Sequence, residues 1–590
     1  MFKKKKYHDI VGSTFLQLMI AQLMSFMAQI VAQVVDSMSI SRFLSVDDLS
    51  AFSFSSSITS VVMMVFGLLM TGVSIYSAAM AKENNTDSRT TCFSTAIISA
   101  LVFGIIMTAV YIPGSRWLAV LSGAPSELAG RTSDYILGYS VGIIPFLLFG
   151  ASVPFTIIEG KRSIMKQAFL MMAVVDVILD IINGLVIHGG ILGMGLATAI
   201  SEYAAFFVVL FGYLRGKGSR TQGRNFHFSP SHFRFGALGE IFSYGYMYVL
   251  KQLLVTVLVY VYNNFITYRY GTTVLGIYAA TYSAVSFAWC IGSAIGNTTA
   301  SLTGLYANEN DIDSLKRLIR ISVYYSVIIN GIVMLIFIFA SRQIMGIFYS
   351  EQNEYTALSS VGLVLISLSM IIRSINMVVR SYYQAMKMNR FNIFMSVMDT
   401  LACEVAALVI LSLICGKYGI WLSYPVGEAA ALLIMMLYMR FKNGNKLRFA
   451  VLFPFPESQK IKAKFSAVLK NEENVMQWSV KIQDFCKENG ADAGTAGKIS
   501  LAVEEIGNNI LKYGFSDGKA HAVDLLLKLT EEEWILRFRD DCAAFDPLGY
   551  LKMAEASSEH LGLKMVSALN DGISYINVMG TNNLVIRYKP

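Results

Sequence analysis

Four carboxylates lie inside long apolar runs of the N-terminal half of this chain: Asp36, Asp176, Asp180 and Glu202. A charge at mid-bilayer costs at least about 2.5–3.5 kcal/mol, so each is a functional candidate. Asp176 and Asp180 are four residues apart and share one helix face. The apolar runs of the same half contain no Lys or Arg to neutralise them. An acidic cluster of this kind in a low-dielectric medium should hold protons or a cation, which is the chemistry of ion coupling. The competing reading is a set of protonated carboxyls hydrogen-bonded between helices. The C-terminal half differs. Arg373 and Arg380 precede, and Asp399 and Glu404 follow, a junction near residue 388. In an antiparallel helix pair this matches Arg373 with Glu404 and Arg380 with Asp399 in depth, two ion pairs whose expected role is structural. Lys251 is expected near the cytoplasmic end of its span, snorkelling to the interface.

Helices that cross a bilayer must position these groups. Hydrophobic residues make up 55% of the 590 and charged residues 15%, against about 25% charge in an ordinary globular chain. A wholly soluble, disordered or collagenous chain is thereby excluded. The six cysteines form no CxxC pair and no His-rich cluster, so the spacing suggests neither a zinc knuckle nor a redox motif. Apolar runs long enough to span about 30 Å of hydrocarbon recur about twelve times; among them are 133–158, 167–188, 241–268 and 357–384. Basic connections such as Lys3 to Lys6, Lys161, Lys316, Arg317, Lys387 and Arg440 fall on one side, which predicts a multi-pass protein of the cytoplasmic membrane with both termini in the cytoplasm. The basic N-terminus reads as the start of the first span, without the cleavage site of a removed signal peptide. Residues 459–590 change character, with 16 basic and 18 acidic side chains against 32 and 22 before them. The net basic balance belongs to the membrane part and calls for no nucleic-acid partner. The expected division is 1–226 and 227–441 for two lobes, 442–458 for a linker, and 459–590 for a cytosolic domain.

A shift of 226 residues superposes Ala81 to Asp87 on Ala307 to Asp313, Lys161 on Lys387, Gly193 on Gly419, Leu196 on Leu422 and Glu202 on Glu428. Six spans per repeat give both halves one orientation, hence two parallel six-helix lobes. The same shift puts Asp36, Asp176 and Asp180 on Tyr262, Ala402 and Ala406, so the acidic cluster is not part of the shared scaffold. Glu202 and Glu428 coincide, which favours a structural role for that pair. This plan, with Val34-Val-Asp-Ser-Met-Ser-Ile-Ser-Arg-Phe-Leu44, Gly193-Met-Gly-Leu-Ala-Thr198 and Tyr382-Tyr-Gln-Ala-Met386, resembles the MATE (multidrug and toxic compound extrusion) family over residues 10–440. The resemblance implies export of organic cations, drugs or metabolites in exchange for Na⁺ or H⁺. It matches Asp36 to the family's first-helix acid and aligns the fifth-helix Asp with Asn183, leaving Asp176 and Asp180 one or two turns earlier.

The tail alternates strands and helices: 465–469 strand, 475–489 helix, 497–513 helix, 522–529 and 534–539 strands, then a hairpin of 575–579 and 584–588 around Gly580 to Asn583. Val503-Glu-Glu-Ile-Gly-Asn-Asn-Ile-Leu-Lys-Tyr-Gly514, Arg539-Asp-Asp-Cys-Ala-Ala-Phe-Asp-Pro547, His560-Leu-Gly-Leu-Lys-Met-Val566 and Gly580-Thr581 together resemble the GHKL (histidine-kinase-like) ATPase superfamily, in particular the anti-sigma-factor type of serine kinase. Glu505 and Asn509, one helical turn apart, would place a general base beside an amide oxygen able to hold Mg²⁺. The resemblance further implies that Asp540 meets the adenine amino group, Gly562 lets a helix N-terminus approach the phosphates, and Thr581 completes the pocket. Cys542 replaces the glycine of Asp-x-Gly, and Glu559 and His560 replace small residues. A live Mg²⁺-ATP module and a degenerate interaction module both remain open.

The fold class expected is therefore an all-α polytopic membrane protein of twelve helices in two lobes, followed by a soluble α+β sandwich. The expected function is a cation-coupled antiporter acting by alternating access, with a cytosolic domain that binds nucleotide or a protein partner to regulate it. No Walker A motif is present to suggest that ATP drives transport directly. The alternatives are a membrane-anchored serine kinase that uses the helices as a sensor, and a lipid-linked flippase.

Overall fold

The structure, a computed structural model, describes residues 10–81, 86–158, 162–215, 227–308, 311–349, 354–443, 452–455, 461–515, 521, 523–542, 545, 547, 561–578 and 581–589. Lys3 to Lys6, Lys161, most of the 442–458 linker, Glu559, His560 and Gly580 lie outside the described residues. Among the described residues, sixteen α-helices occupy the first part in the order α1 (Ile10–Phe43), α2 (Val46–Ala81), α3 (Thr86–Leu121), α4 (Ser126–Ser140), α5 (Ile143–Ile158), α6 (Arg162–Ile182), α7 (Gly190–Arg215), α8 (Phe235–Tyr270), α9 (Thr272–Asn308), α10 (Ile312–Phe339), α11 (Ser341–Phe348), α12 (Glu354–Ser367), α13 (Met370–Ala385), α14 (Asn389–Val397), α15 (Cys403–Cys415) and α16 (Gly419–Asn443). Their apolar faces are consistent with lipid: Leu101, Val102, Ile105 and Ile106 stand exposed along α3.

Among the described residues, eight helical stretches are long and apolar enough to cross a membrane, and ten if each of two bent pairs is one span. The other two of the twelve expected spans would need α1, whose described apolar stretch is Ile10–Met24, and a division of the stretch Asn389–Lys442 near Gly416, which has φ +60°. Two expected spans are not straight. Residues 133–158 are α4 and α5, bent by 49°, and 357–384 are α12 and α13, bent by 42°. The bends fall at equivalent places in the two repeats, so the duplication extends to the backbone. The helix of Asp399 contains a π turn at Met398–Ala402, and α6 ends in another at Asn183–Ile187.

The soluble part runs β1 (Ala463–Leu469), α17 (Glu472–Glu488), α18 (Ala493–Asn509), β2 (Val523–Leu529), β3 (Trp534–Asp540), α19 (Leu561–Ala568), β4 (Gly572–Val578) and β5 (Thr581–Tyr588). Its antiparallel sheet has the order β1-β2-β3-β5-β4. Alternation sends Leu525, Leu527, Leu536 and Phe538 into a core with Val475, Ile482, Ile499 and Val503 of the two helices. Asn471 and Asp492 cap α17 and α18 by accepting from Asn474 N and Thr495 N. The hairpin is tighter than expected. Thr581, Asn582 and Asn583 belong to β5, with Thr581 opposite Val578, because pairing continues to the turn.

By contacts the chain forms two compact units: Leu23–Gly296 with Val323–Leu452, and Met1–Gln22, Asn297–Ser322 and Phe453–Pro590.

Candidate functional site

Asp36 near the end of α1 lies beside Asp176 and Asp180 of α6. All three are buried. Ser201 and Thr198 of α7 stand beside Asp176, Ser39 of α1 beside Asp180, and Tyr135 of α4 beside Thr198. Asp36 Oδ1, Asp176 Oδ1 and both carboxylate oxygens of Asp180 find no hydrogen-bond donor, and no Lys or Arg pairs with them among the described residues. Buried acceptors without donors are costly. A bound cation or proton would satisfy them. Glu202 is buried on α7 near Asp176, with Oε2 against Gly142 at the bend. Asn183 is engaged elsewhere: its side chain donates to Gly190 O (3.0 Å) and accepts from Gly189 N (3.1 Å), closing the α6–α7 turn.

The C-terminal lobe neutralises its own acids. Arg373 meets Glu404 at 3.2 Å and Glu428 at 3.1 Å, and Arg380 meets Asp399 at 3.1 Å. Asn376 donates to Glu428 Oε2 (2.6 Å), and Thr400 joins Asp399 (3.0 Å). The Arg373 guanidinium lies over the Trp289 ring, 3.9 Å from its centroid. Glu428 comes from α16, and no spacing along the α13–α15 hairpin could reveal it. Glu202 occupies the equivalent position, but Leu147 stands where the repeat puts Arg373. The two glutamates therefore sit in different electrostatic settings. Lys251 is not at the end of its span, because α8 begins at Phe235 and places it roughly 24 Å along the axis. It lies near Arg380 and Asp399.

In the soluble part, the end of α18 brings Glu505 against the start of α19. A Cβ added to Gly562 would lie 1.8 Å from Glu505 Oε2, so any larger residue here would push the Glu505 carboxylate aside. Asn509, one turn on, is half-buried at the end of α18. Asp540 is buried at the end of β3 and accepts from Asn582 Nδ2 (2.8 Å) and Cys542 N (3.1 Å). Burial pushes its carboxyl above the usual range, while Asn582 opposes the shift. Thr581 is buried opposite Val578 and accepts from Asn583 Nδ2 at 3.5 Å. The neighbour Asn582, absent from the sequence-based set, is the β5 residue that engages Asp540. Cys542 points Sγ at Gly514, whose own Cβ would be 2.8 Å away. Its side chain is thereby stored against the end of the Val503 to Gly514 motif. His521, Asp541 and Cys542 also cluster, with one ligand atom from each within 4.8 Å of the others and His521 Nδ1 3.0 Å from Asp541. The sequence signal for that group is weak, since His521 precedes β2 while Asp541 and Cys542 follow β3, about twenty residues on.

The MatE family profile matches residues 22–182 and 248–408, two copies offset by 226 residues. A histidine kinase-like ATPase domain matches 468–588. The "Probable multidrug resistance protein YoeA" of Bacillus subtilis is 22% identical over 460 residues, covering 74% of this chain and 95% of that protein. The "Multidrug export protein MepA" of Staphylococcus saprophyticus is 25% identical over 303 residues, 51% of this chain and 66% of that one. In fold, the chain is similar to an inward-facing multidrug resistance MATE family transporter (TM-score 0.65, 15% identity, 70% of this chain and 94% of that chain). It is also similar to an outward-facing one (TM-score 0.59, 17% identity, 73% and 96%). Because both copies of the family's repeat occur at the spacing of the chain's own duplication, this protein belongs to the MATE family, a membrane transporter with a histidine kinase-like ATPase domain at its C-terminal end.

Proposed function

We propose that this chain is a cation-coupled antiporter that exports small organic substrates by alternating access, regulated by its C-terminal domain. One observation carries the reading: among the described residues the buried carboxylates of Asp36, Asp176 and Asp180 have no basic partner, whereas Asp399, Glu404 and Glu428 do. An unneutralised acidic site can load H⁺ or Na⁺ from one side and release it when the lobe's helices rearrange. Relatives named for multidrug resistance and export, and similar folds seen inward- and outward-facing, support the cycle. Asp36 bridges α1 and α6, so its protonation or ion occupancy would change how the two helices pack. Glu202 would serve as a secondary acid near Asp176. In proteoliposomes, Asp36→Asn should lower gradient-driven ethidium export by at least about tenfold while leaving insertion and thermal unfolding near native. Undiminished coupled flux in that variant would remove Asp36 from the mechanism. Parallel Na⁺ and pH gradients identify the ion.

The residues of the soluble part fit an adenine nucleotide with Mg²⁺: Asp540 offers a buried acceptor, Gly562 a close backbone approach, and Cys542 is turned toward Gly514. Asn509 would hold the metal, and Thr581 would flank the base. When bound, Mg²⁺-ATP would supply a phosphoryl group. In a kinase reaction Glu505 would take the hydroxyl proton of a serine substrate as the phosphoryl group passes to that oxygen and ADP leaves. The regulatory reading asks only that the site bind. It is favoured because the domain is fused to a complete transporter-type repeat pair. Both termini and the α9–α10 loop are proposed to lie in the cytoplasm.

A further inference from the structure

The sheet of the soluble domain has two faces, and the described helices occupy one of them. Strand alternation puts Arg537 and Arg539 on the other face, in register with Leu526 and Asp524 of β2 and with Val585 and Asn583 of β5. That face meets the segment joining α9 to α10. Arg537 Nη1 lies 2.6 Å from Asp311 Oδ2, and its other nitrogen, Nη2, lies 2.7 Å from Asp524 of the sheet itself. Arg539 lies 3.6 Å from the same Asp311 oxygen, donates from Nε to Asn583 (2.7 Å) and rests over the Tyr306 ring at 4.7 Å. Lys464 of β1 pairs with Asp313, and Lys316 lies over the Phe455 ring.

Asp311 does two jobs. Its Oδ1 accepts from Ser314 N (3.2 Å), capping α10, while Oδ2 receives the arginines. It is 2% exposed, Arg537 4% and Arg539 1%. Burial alone would raise the Asp311 carboxyl, but Arg537, the Ser314 hydrogen bond and Arg539 together outweigh it and hold the group well below the usual range. The charges are therefore fully formed at neutral pH. A buried ion pair adds little net stability, because both charges must be desolvated, yet removing one partner is strongly unfavourable. Such a contact is selective and reversible, as a clasp needs to be.

The clasp is also joined to the candidate nucleotide site. On adjacent rungs of the β3–β5 pair, Asp540 is opposite Asn582 and Arg539 is opposite Asn583. Each couple is hydrogen-bonded, the first on the helix side and the second on the outer side. A base that competed with Asn582 for Asp540 would disturb the rung next to the one holding Arg539.

We propose that the outer sheet face clasps the Tyr306–Lys316 segment through Asp311, and that nucleotide occupancy at Asp540 is passed through this clasp to α9 and α10. The second half rests on the regulatory reading given above. The test uses the full-length protein carrying Asp313→Cys and Lys464→Cys, in a background without the native cysteines. Crosslinking with a short bismaleimide is followed with and without Mg-ATP, alongside ethidium flux. The crosslink should form readily in this chain, and Mg-ATP should change its rate by about tenfold. Asp311→Asn keeps a good helix cap but loses the charge; it should slow crosslinking by about tenfold and abolish the nucleotide effect. Arg537→Gln should do the same. Absence of the crosslink in the parent would overturn the clasp. A crosslink indifferent to Mg-ATP, or a nucleotide effect that survives Asp311→Asn, would overturn its role as a relay. Loss of flux in the parent with normal crosslink behaviour would instead sink the transport reading and leave the clasp standing.

Discussion

Arg373 carries more than either of its partners. It faces two glutamates from different helices and the face of Trp289. Truncating it leaves two buried carboxylates with one of their neutralising groups gone, a change on the order of 3–5 kcal/mol. Arg373→Leu should therefore lower the thermal unfolding midpoint in detergent far more than Arg131→Leu, whose pair with Asp48 is exposed. Arg373→Lys should recover only part, since an ammonium cannot reproduce the guanidinium plane that lies over the Trp289 ring. Equal midpoints for the two leucine variants would refute this ranking. Depth matching along one hairpin made the pairs of Arg373 with Glu404 and Arg380 with Asp399 legible in the sequence, because a connected antiparallel pair fixes which residues are level. Glu428 was not legible, since the register of α16 against α13 is set by packing. Asn582 escaped for another reason: the run Gly580 to Asn583 has turn composition, and the ladder overrides it.

At the scale of elements, the acidic site depends on how closely α4 and α7 approach. A Cβ on Gly195 would meet Tyr135 O at 2.6 Å and Tyr139 N at 2.9 Å. These are backbone atoms, so the helices would have to separate. Small residues allow such contacts between spans, where packing replaces the hydrophobic driving force. Gly195→Ala should cost roughly 1–3 kcal/mol of stability and reduce coupled flux, since Tyr135 and Thr198 flank the acids from these two helices. Gly130→Ala, also on α4 but with open space around its Cβ position, should leave both properties unchanged. If the two variants melt and transport alike, close approach at Gly195 does not support the site. The motif Gly193-x-Gly195 was visible in the sequence as a family mark. Its physical purpose was not, because a close interhelical contact requires knowing which helix lies opposite. The bends at α4–α5 and α12–α13 were likewise hidden inside continuous apolar runs, which composition alone reads as straight spans.

At the scale of the molecule, the soluble part has its own core, centred on Val475, Ile482, Ile499, Leu525, Leu536 and Phe538. It should therefore fold when separated, and residues 459–590 should unfold in one cooperative transition reported by Trp478 and Trp534. Separation leaves Arg537 and Arg539 without Asp311, but exposes them to water instead of burying them unpaired, so the loss should be small. Binding is the more informative measurement. If Asn509 holds Mg²⁺ against the phosphates, Asn509→Ala should weaken Mg-ATP binding by calorimetry about ten- to a hundredfold. Asp540 adds a pH signature. A carboxyl raised by burial carries its charge only above that raised value, and accepting from an adenine amino group favours the charged form. Affinity should consequently fall as pH is lowered through a midpoint above the ordinary aspartate value of about 3.9, and Asp540→Asn should remove that dependence. A folded fragment that ignores Mg-ATP at millimolar concentration would make the domain a docking module.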